Sequence, residues 1–439
     1  MLRKTFFLFI VTVFFSDTYA QELLTLDQAV EQTLKQNFGI RIASTRKKIG
    51  ENDNTLGNAG FLPTVTGQAS KNYSISKIDQ EFFGGLRDPL RQSGVKNNNS
   101  NLGVTVVWTL FDGMGMFVAR DRLAELQRQG VVSEKIVIEN TIAQVANSYY
   151  DILRQLQRLK TFKDALEISN ERVRLAKDRY EVGQGSKLDY LTAQVDYNED
   201  KAALVAQEQA LQNSKINLNA LLNRGLYTTF TIPDTIVLNK ELSIEKLRPL
   251  VLSQNPNIVL ANMNRKLAEL EIKNQKSLQM PQLDFLGGYN YNTVNNGAGF
   301  GVQKGTTGLL NYGVRATINI FDGYNQKRRI ENAKVNTLVA DYQEKDLKLQ
   351  LESALERTYL SYRNNLQLVE LEIQNFTVAR QNVDIAFERY KIGVSTPLEL
   401  RETQRNAVAA QTRLIEAEFN TKLTEIELQR LSSTILTER

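Results

Sequence analysis

Leu102-Gly-Val-Thr-Val-Val-Trp-Thr-Leu-Phe-Asp-Gly113 is the stretch that decides how this chain folds. Leu102, Val104, Val106, Trp108 and Leu110 alternate with Gly103, Thr105, Val107 and Thr109. A period of two places one set on each face of a strand. Apolar-out, polar-in alternation over about ten residues marks a transmembrane β-barrel strand, and a soluble half-buried antiparallel sheet gives the same pattern. A second such stretch precedes Phe321-Asp322-Gly323: Tyr312, Val314, Ala316, Ile318 and Ile320 alternate with Gly313, Arg315, Thr317 and Asn319. Val104, Val106, Trp108, Val314 and Ile318 are the expected lipid-facing residues. Each stretch has an upstream partner. Leu283, Phe285, Gly287, Tyr289 and Tyr291 alternate with polar or small residues, Leu286 excepted, and residues 64–73 alternate more weakly.

The duplication runs the length of the chain. Leu24-Thr-Leu-Asp-Gln-Ala-Val is matched by Leu242-Ser-Ile-Glu-Lys-Leu-Arg, and Leu62-Pro63 by Met280-Pro281, both at an offset of 218. From Phe111 and Phe321 onward the offset is 210: Arg179-Tyr180-Glu-Val-Gly183 matches Arg389-Tyr390-Lys-Ile-Gly393, and Leu221 matches Leu431. The residues lost between the two offsets fall in the Asn/Gly/Ser-rich stretches 77–100 and 294–311, which therefore read as loops. Each copy runs helix, strand, loop, strand, very long helix, turn, helix. The division is a leader at 1–20, one repeat at 21–223, a linker at 224–241, a second repeat at 242–433 and a tail at 434–439. Phe230-Thr-Ile-Pro233 in the linker reads as a short extended piece.

Met114 to about Val182 contains no proline, and an interior proline would cost a helix about 3 kcal/mol. At 1.5 Å per residue the helix would be on the order of 100 Å long. Its apolar residues step by four and three: Ile138, Ile142, Val145, Tyr149, Ile152, Leu156, Leu159, then Leu166, Val173, Ala176 and Tyr180. Leu355, Tyr359, Tyr362, Leu366, Val369, Ile373, Phe376, Val383, Ala386 and Tyr390 repeat the phase. Sustained heptads mean coiled-coil packing. Turns at Gly183 and Gly393 fold a second helix back on each.

Composition removes whole classes of function. There is no His and no Cys, so zinc sites built from them, Ser-His-Asp triads, Cys nucleophiles and disulfides are excluded. So is a lipid anchor on an N-terminal Cys. The 54 basic and 49 acidic residues are mixed along the chain, with no basic stripe for nucleic acid. Nothing is arranged as a catalytic or metal site, and no cofactor is expected. Arg3 and Lys4, the apolar run Phe6 to Phe15 and Thr18-Tyr19-Ala20 read as a secretory signal. That run is about half of the roughly 20 residues a spanning helix needs, so any membrane crossing must be made by strands. Four strands cannot close a barrel, and open edges are not tolerated in lipid. Two copies would supply eight strands and three would supply twelve, with a wider lumen.

The duplicated layout, the Phe-Asp-Gly after each second strand and the paired Arg-Tyr-x-x-Gly-x-x-[Ser/Thr]-x-x-[Asp/Glu] turns together resemble the TolC family of outer-membrane efflux proteins, from about Leu24 to Ser433. The resemblance implies an α+β membrane protein. A long antiparallel coiled-coil barrel would continue a transmembrane β-barrel of four strands per chain in a homotrimer, without lipidation, in the outer membrane of a Gram-negative cell. It implies docking to a periplasmic adaptor and an inner-membrane transporter, with passive export for drug efflux or type I secretion. A periplasmic adaptor and a structural envelope coiled coil are the competing readings; two hairpins with four barrel strands argue against the adaptor.

At the turns, Ser186-Lys-Leu-Asp189 and Thr396-Pro-Leu-Glu399 fit capping boxes, with Pro397 at the first helical position. The resemblance adds a second role. Glu399 and Glu402 match acidic-ring positions of a periplasmic aperture, and Asp189 and Tyr390 match linking positions. Ser395 stands where the best-known members carry Arg, so no charged lock is implied there. Val182, Gly183, Gln184, Gly185, Ile392, Gly393 and Val394 are the candidate adaptor contacts, on position alone.

Overall fold

The structure, a computed structural model, describes residues 22–85, 88–298 and 302–436; the leader expected at 1–20 and the end of the tail lie outside these. In chain order the elements are β1 (Glu22–Leu23), α1 (Leu26–Gln36), α2 (Phe38–Asp53), β2 (Thr64–Gln80), β3 (Leu90–Asp112), α3 (Gly115–Glu181), α4 (Lys187–Leu221), β4 (Phe230–Thr231), α5 (Ile244–Gln254), α6 (Pro256–Ser277), β5 (Gln282–Asn296), β6 (Lys304–Thr317), α7 (Asn325–Lys391) and α8 (Pro397–Leu431). The duplication is metric as well as sequential. α3 and α7 are 67 residues each, and α4 and α8 are 35 residues each. At that length α3 and α7 are each about 100 Å long. Among the described residues no helix is long and apolar enough to cross a membrane.

The described residues form two compact units, each drawing on both halves of the sequence: those within 39–138 and 248–354, and those within 22–38, 139–247 and 355–436. The first of these holds a four-stranded antiparallel sheet in the order β2-β3-β5-β6, so the two copies of the strand pair meet at β3 and β5. The register puts Val65, Val106, Gly287 and Tyr312 in one row and Gly67, Val104, Tyr289 and Leu310 in the next. Apolar residues thus share one face. Gln68, Gly103 and Asn290, then Ser70, Asn101 and Asn292, share the other. Leu102, Val104, Trp108, Tyr289, Leu310, Tyr312 and Val314 are all exposed. The Trp108 indole N–H donates to the Phe61 carbonyl at 3.0 Å, which pins the ring at the foot of the sheet. On the polar face, Asp284 accepts from Thr109 at 3.0 Å and Arg315 at 3.3 Å.

Three sequence expectations change here. The stretches 77–100 and 294–311 are not simply loops, because β2 runs to Gln80, β3 starts at Leu90, β5 ends at Asn296 and β6 begins at Lys304. Their polar residues hide the alternation but keep the backbone ladder, supported by cross-strand bonds such as Asn97 to Ser76 at 3.3 Å and Arg91 to Asp79 at 3.1 Å. Ile318 is not a strand residue. β6 stops at Thr317, opposite Gln282, and the next residue on the partner strand is Pro281, which has no N–H to extend the ladder. Leu110 falls at a register shift between Thr109 and Phe111, so it leaves the alternating row.

Phe-Asp-Gly is the joint between strand and helix. Gly113 and Met114 both have positive φ, 71° and 74°, and so do Gly323 and Tyr324, 68° and 62°. Two consecutive left-handed residues reverse the chain within one step, and glycine takes the first at no steric cost. Beyond the joint, α3 packs between α2 and α6. Lys47 pairs with Glu134 at 2.6 Å, Asn54 with Gln127 at 2.6 Å, Lys266 with Glu125 at 3.1 Å and Gln129 with Asn264 at 2.7 Å. α6 reaches α7 through Arg265 and Glu344 at 3.0 Å.

The other unit holds the coiled-coil rows. Ile142, Val145, Tyr149 and Ile152 of α3, and Leu355, Tyr362, Val369, Val383, Ala386 and Tyr390 of α7, are buried as the heptads predict. Tyr180 and Ile373 are exposed instead, so the two rows are not equivalent in their packing. β1 and β4 form a short parallel pair, with Leu24 donating to Thr231 at 2.9 Å, and the Tyr149 hydroxyl donates to the Leu24 carbonyl at 3.1 Å.

The two joint glycines should respond differently to alanine. A Cβ on Gly113 would lie 2.3 Å from the Ser277 carbonyl oxygen and 2.6 Å from the Met280 Cβ; at Gly323 the nearest atom is 3.8 Å away. Gly323→Ala should cost only the left-handed strain, about 1–2 kcal/mol. Gly113→Ala adds a backbone clash and should sharply reduce assembled protein. Thermal unfolding and membrane yield of the two variants, measured side by side, check this; equal losses would refute it.

Candidate functional site at the hairpin turns

Each long helix ends in the same hydrogen-bonded stop. Gly183 has φ 75°, its N–H donates to the Tyr180 carbonyl at 3.1 Å, and the Gln184 N–H donates to the Arg179 carbonyl at 2.8 Å. Gly393 has φ 81°, with Gly393 to Tyr390 at 3.1 Å and Val394 to Arg389 at 2.9 Å. This is the Schellman pattern, which needs a left-handed residue at the glycine. The returning helices start on Ser186, whose hydroxyl accepts from the Asp189 N–H at 3.0 Å, and Thr396, which accepts from the Glu399 N–H at 3.2 Å. The hydroxyl half of each expected capping box is therefore present. The Glu399 carboxylate is turned elsewhere: it accepts from the Ser395 hydroxyl at 2.7 Å and lies 3.9 Å from Arg389.

The candidate residues separate into buried and exposed sets. Tyr390 is 2% exposed and packs with Val383, Ala386 and Leu400 against Ile168 and Leu175. Arg179 of the first hairpin donates to the Tyr390 carbonyl at 2.5 Å and stacks its guanidinium 4.8 Å from the Tyr390 ring. Burial pushes the Tyr390 phenol up, Arg179 and Arg172 oppose that, and nearby Asp189 adds to it. The bonded link to Tyr390 is made by Arg179. Glu402 and Asp189 are exposed, as are Val182, Gly183, Gln184, Ile392, Gly393 and Val394; Gly185 is half-buried. Tyr180, the repeat mate of Tyr390, is exposed and stacks on Tyr190, with ring centroids 6.4 Å apart.

Sequence reasoning passed over the charge buried between the hairpins. Arg401 on α8 and Arg172 on α3 are both buried, and both reach carboxylates on α4. A signal existed: Asp196, Glu199 and Asp200 line one face of α4 at helical spacing, opposite an Arg where the repeat mate is Leu191. Among the described residues no group of His, Cys, Asp and Glu side chains could hold a metal ion.

Comparison with known proteins agrees with this layout. The family model described as "Outer membrane efflux protein" matches residues 29–224 and 247–434. Protein CyaE of Bordetella pertussis is 23% identical over 91% of this chain and 82% of its own length. The proteases secretion protein PrtF of Dickeya chrysanthemi is 22% identical over 84% and 77%. Among solved structures, the CmeC outer membrane channel of Campylobacter jejuni superimposes with a TM-score of 0.77 at 14% identity, covering 93% of this chain and 85% of that one. VceC of Vibrio cholerae gives 0.72 at 16%, covering 93% and 95%. With a family match along most of its length and the fold of these channels, the chain belongs to the outer membrane efflux protein family and is an outer-membrane exit duct, not an enzyme.

Proposed function

We propose that three copies of this chain close a twelve-stranded barrel, and that the duct passively exports substrates handed over by an inner-membrane transporter through a periplasmic adaptor. The observation that carries this reading is the sheet. It has one apolar exposed face, one polar face and, among the described residues, an unpaired edge on both β2 and β6. In lipid those edges must be paired, and only further copies can pair them.

Unpartnered heptad stripes support the same assembly. Ile42 and Ile49 on α2, and Val335, Tyr342 and Leu349 on α7, are exposed at seven-residue spacing. Leu188 and Val195 on α4, and Leu371, Val378 and Ile385 on α7 with Ile392 just past its end, form further exposed rows in the other unit. Such rows are seams awaiting a second helix. Efflux and protein secretion both fit, since one relative is named an outer membrane efflux protein and another a proteases secretion protein.

The turns are read as the periplasmic aperture, with Val182, Gly183, Gln184, Gly185, Ile392, Gly393 and Val394 offered to the adaptor. In a trimer Glu399 and Glu402 would bring six carboxylates to one narrow place. Only Glu399 has an internal partner set; Glu402 is exposed, with no ion pair among the described residues. Like charges so placed favour cations at the entrance and bind them.

Two experiments test this reading. Val106 should face lipid, and Val106→Arg should cost about 2–4 kcal/mol near the bilayer midplane. Insertion of that variant at wild-type level would contradict the placement. In planar bilayers the isolated channel should show low, cation-selective conductance, reduced by divalent or trivalent cations added on the periplasmic side. Glu399→Gln/Glu402→Gln should weaken both selectivity and block, while the amide oxygen introduced by the first substitution keeps an acceptor for the Ser395 hydroxyl. Unchanged selectivity and block would leave these acids with helix capping alone.

A further inference from the structure

The two strand-to-helix joints share a backbone and differ in what lies beside their aspartates. At the second joint the Arg329 guanidinium donates to Asp322 at 3.1 Å, and the Gln326 amide oxygen orients the same guanidinium, accepting from it at 2.9 and 2.6 Å. At the offset of 210 the first joint has Asp112, Met116 and Ala119 in the places of Asp322, Gln326 and Arg329. The carboxylate is kept; the guanidinium that neutralises it and the amide that orients the guanidinium are not. Asp112 Oδ1 is buried without a hydrogen-bond partner, and Asp112 makes no ion pair among the described residues.

A cavity of about 430 Å³ lies there, with Asp112, Met116 and Ala119 in its wall. Thr109, Gln282 and Thr317, from the polar face of the sheet, and Asn274 and Ser277 of α6 also line it. Most of these polar groups have already committed their donors. The Thr109 hydroxyl and the Gln282 amide both donate to Asp284 at 3.0 Å, the Asn274 amide donates to Glu271 at 3.4 Å, and the Ser277 hydroxyl donates to the Asn274 carbonyl at 2.8 Å. What they leave over is oxygen. Asp112 is the one charged side chain among the described residues of the wall, and no basic residue stands with it.

A buried carboxylate oxygen without a donor is unfavourable, and a wall of acceptors calls for a ligand that only donates. A guanidinium has five N–H donors in one plane and no acceptor, and meets a carboxylate through two parallel bonds. A divalent cation is ordinarily held by several oxygens with more than one carboxylate, and among the described residues no group of acidic side chains could hold a metal ion. We propose that the cavity at the first joint binds small guanidinium cations, which take the place that Arg329 fills at the second. Three of its lining residues stand on the polar face of the sheet, so the barrel proposed above would set the site on the wall of its lumen. That location rests on the barrel reading; the binding does not.

Butylguanidinium is the probe, titrated calorimetrically into the full chain in detergent at low ionic strength, with butylammonium and calcium chloride as comparisons. Butylguanidinium should bind about tenfold more tightly than butylammonium, because only the guanidinium matches the carboxylate with a planar fork. Equal binding of the two, or saturable calcium binding that Asp112→Asn removes, overturns the ligand assignment. Asp112→Asn keeps the shape and one acceptor oxygen, and should weaken butylguanidinium about tenfold or more; Asp322→Asn should change it by less than about twofold. Equal effects of these two substitutions overturn the site. Ala119→Arg gives the first joint the guanidinium of the second. It should abolish binding and raise the melting temperature, and the rise should vanish when Asp112→Asn is added. Undiminished binding in Ala119→Arg, or a rise that survives the loss of Asp112, overturns the proposal as well. In planar bilayers butylguanidinium should reduce the current of the wild type more than that of Asp112→Asn. Binding without block supports the site and contradicts the luminal placement of the polar face, so the two failures are told apart.

Discussion

Everything in this molecule depends on the unpaired backbone of two strands. β2 and β6 each present a row of N–H and C=O groups that no other strand among the described residues pairs, on a sheet whose apolar face is exposed. In water an edge strand is a liability to be managed; in hydrocarbon each unsatisfied group costs several kcal/mol. In the assembly proposed above, further copies pair those edges. The exposed apolar stripes on α2, α4 and α7 are consistent with the same pairing, continued into the helices.

Duplication is how one chain supplies both a four-stranded sheet and two pairs of long helices. The strand-to-helix joint is solved once, by an Asp-Gly turn with two left-handed residues, and used twice. The helix-to-helix turn is likewise solved once, by a Schellman glycine followed by a hydroxyl cap. The copies then diverge where they meet. Tyr390 is buried beneath Arg179 while Tyr180 lies exposed, and Arg401 carries charge into a place where Leu191 carries none.

The architecture was legible because period, length and repetition are coarse signals that tertiary context does not override. Alternation at 102–110 and 312–317, proline-free runs into long helices, and glycines at 183 and 393 all read directly. What escaped was set by packing. The hairpins β2–β3 and β5–β6 extend past the apolar band on Asn, Ser and Lys residues whose backbone pairing leaves no mark in hydropathy. Ile318 kept the alternation but lost its ladder partner to Pro281. Glu399 was expected to reach back to the backbone and instead took the Ser395 hydroxyl, a choice between two acceptor geometries that spacing cannot distinguish. The Arg401 cluster is long-range, and one helix's charge pattern shows only half of it.

The most direct test of this account is amide hydrogen exchange on the particle extracted into detergent, read separately for the edge and central strands. If further copies pair the edges, amides of β2 within 64–73 and of β6 within 306–317 should exchange as slowly as those of β3 and β5. Fast exchange confined to the outward-facing amides of β2 and β6, with β3 and β5 protected, would mean that the edges stay open, and the closed barrel of several copies would have to be abandoned.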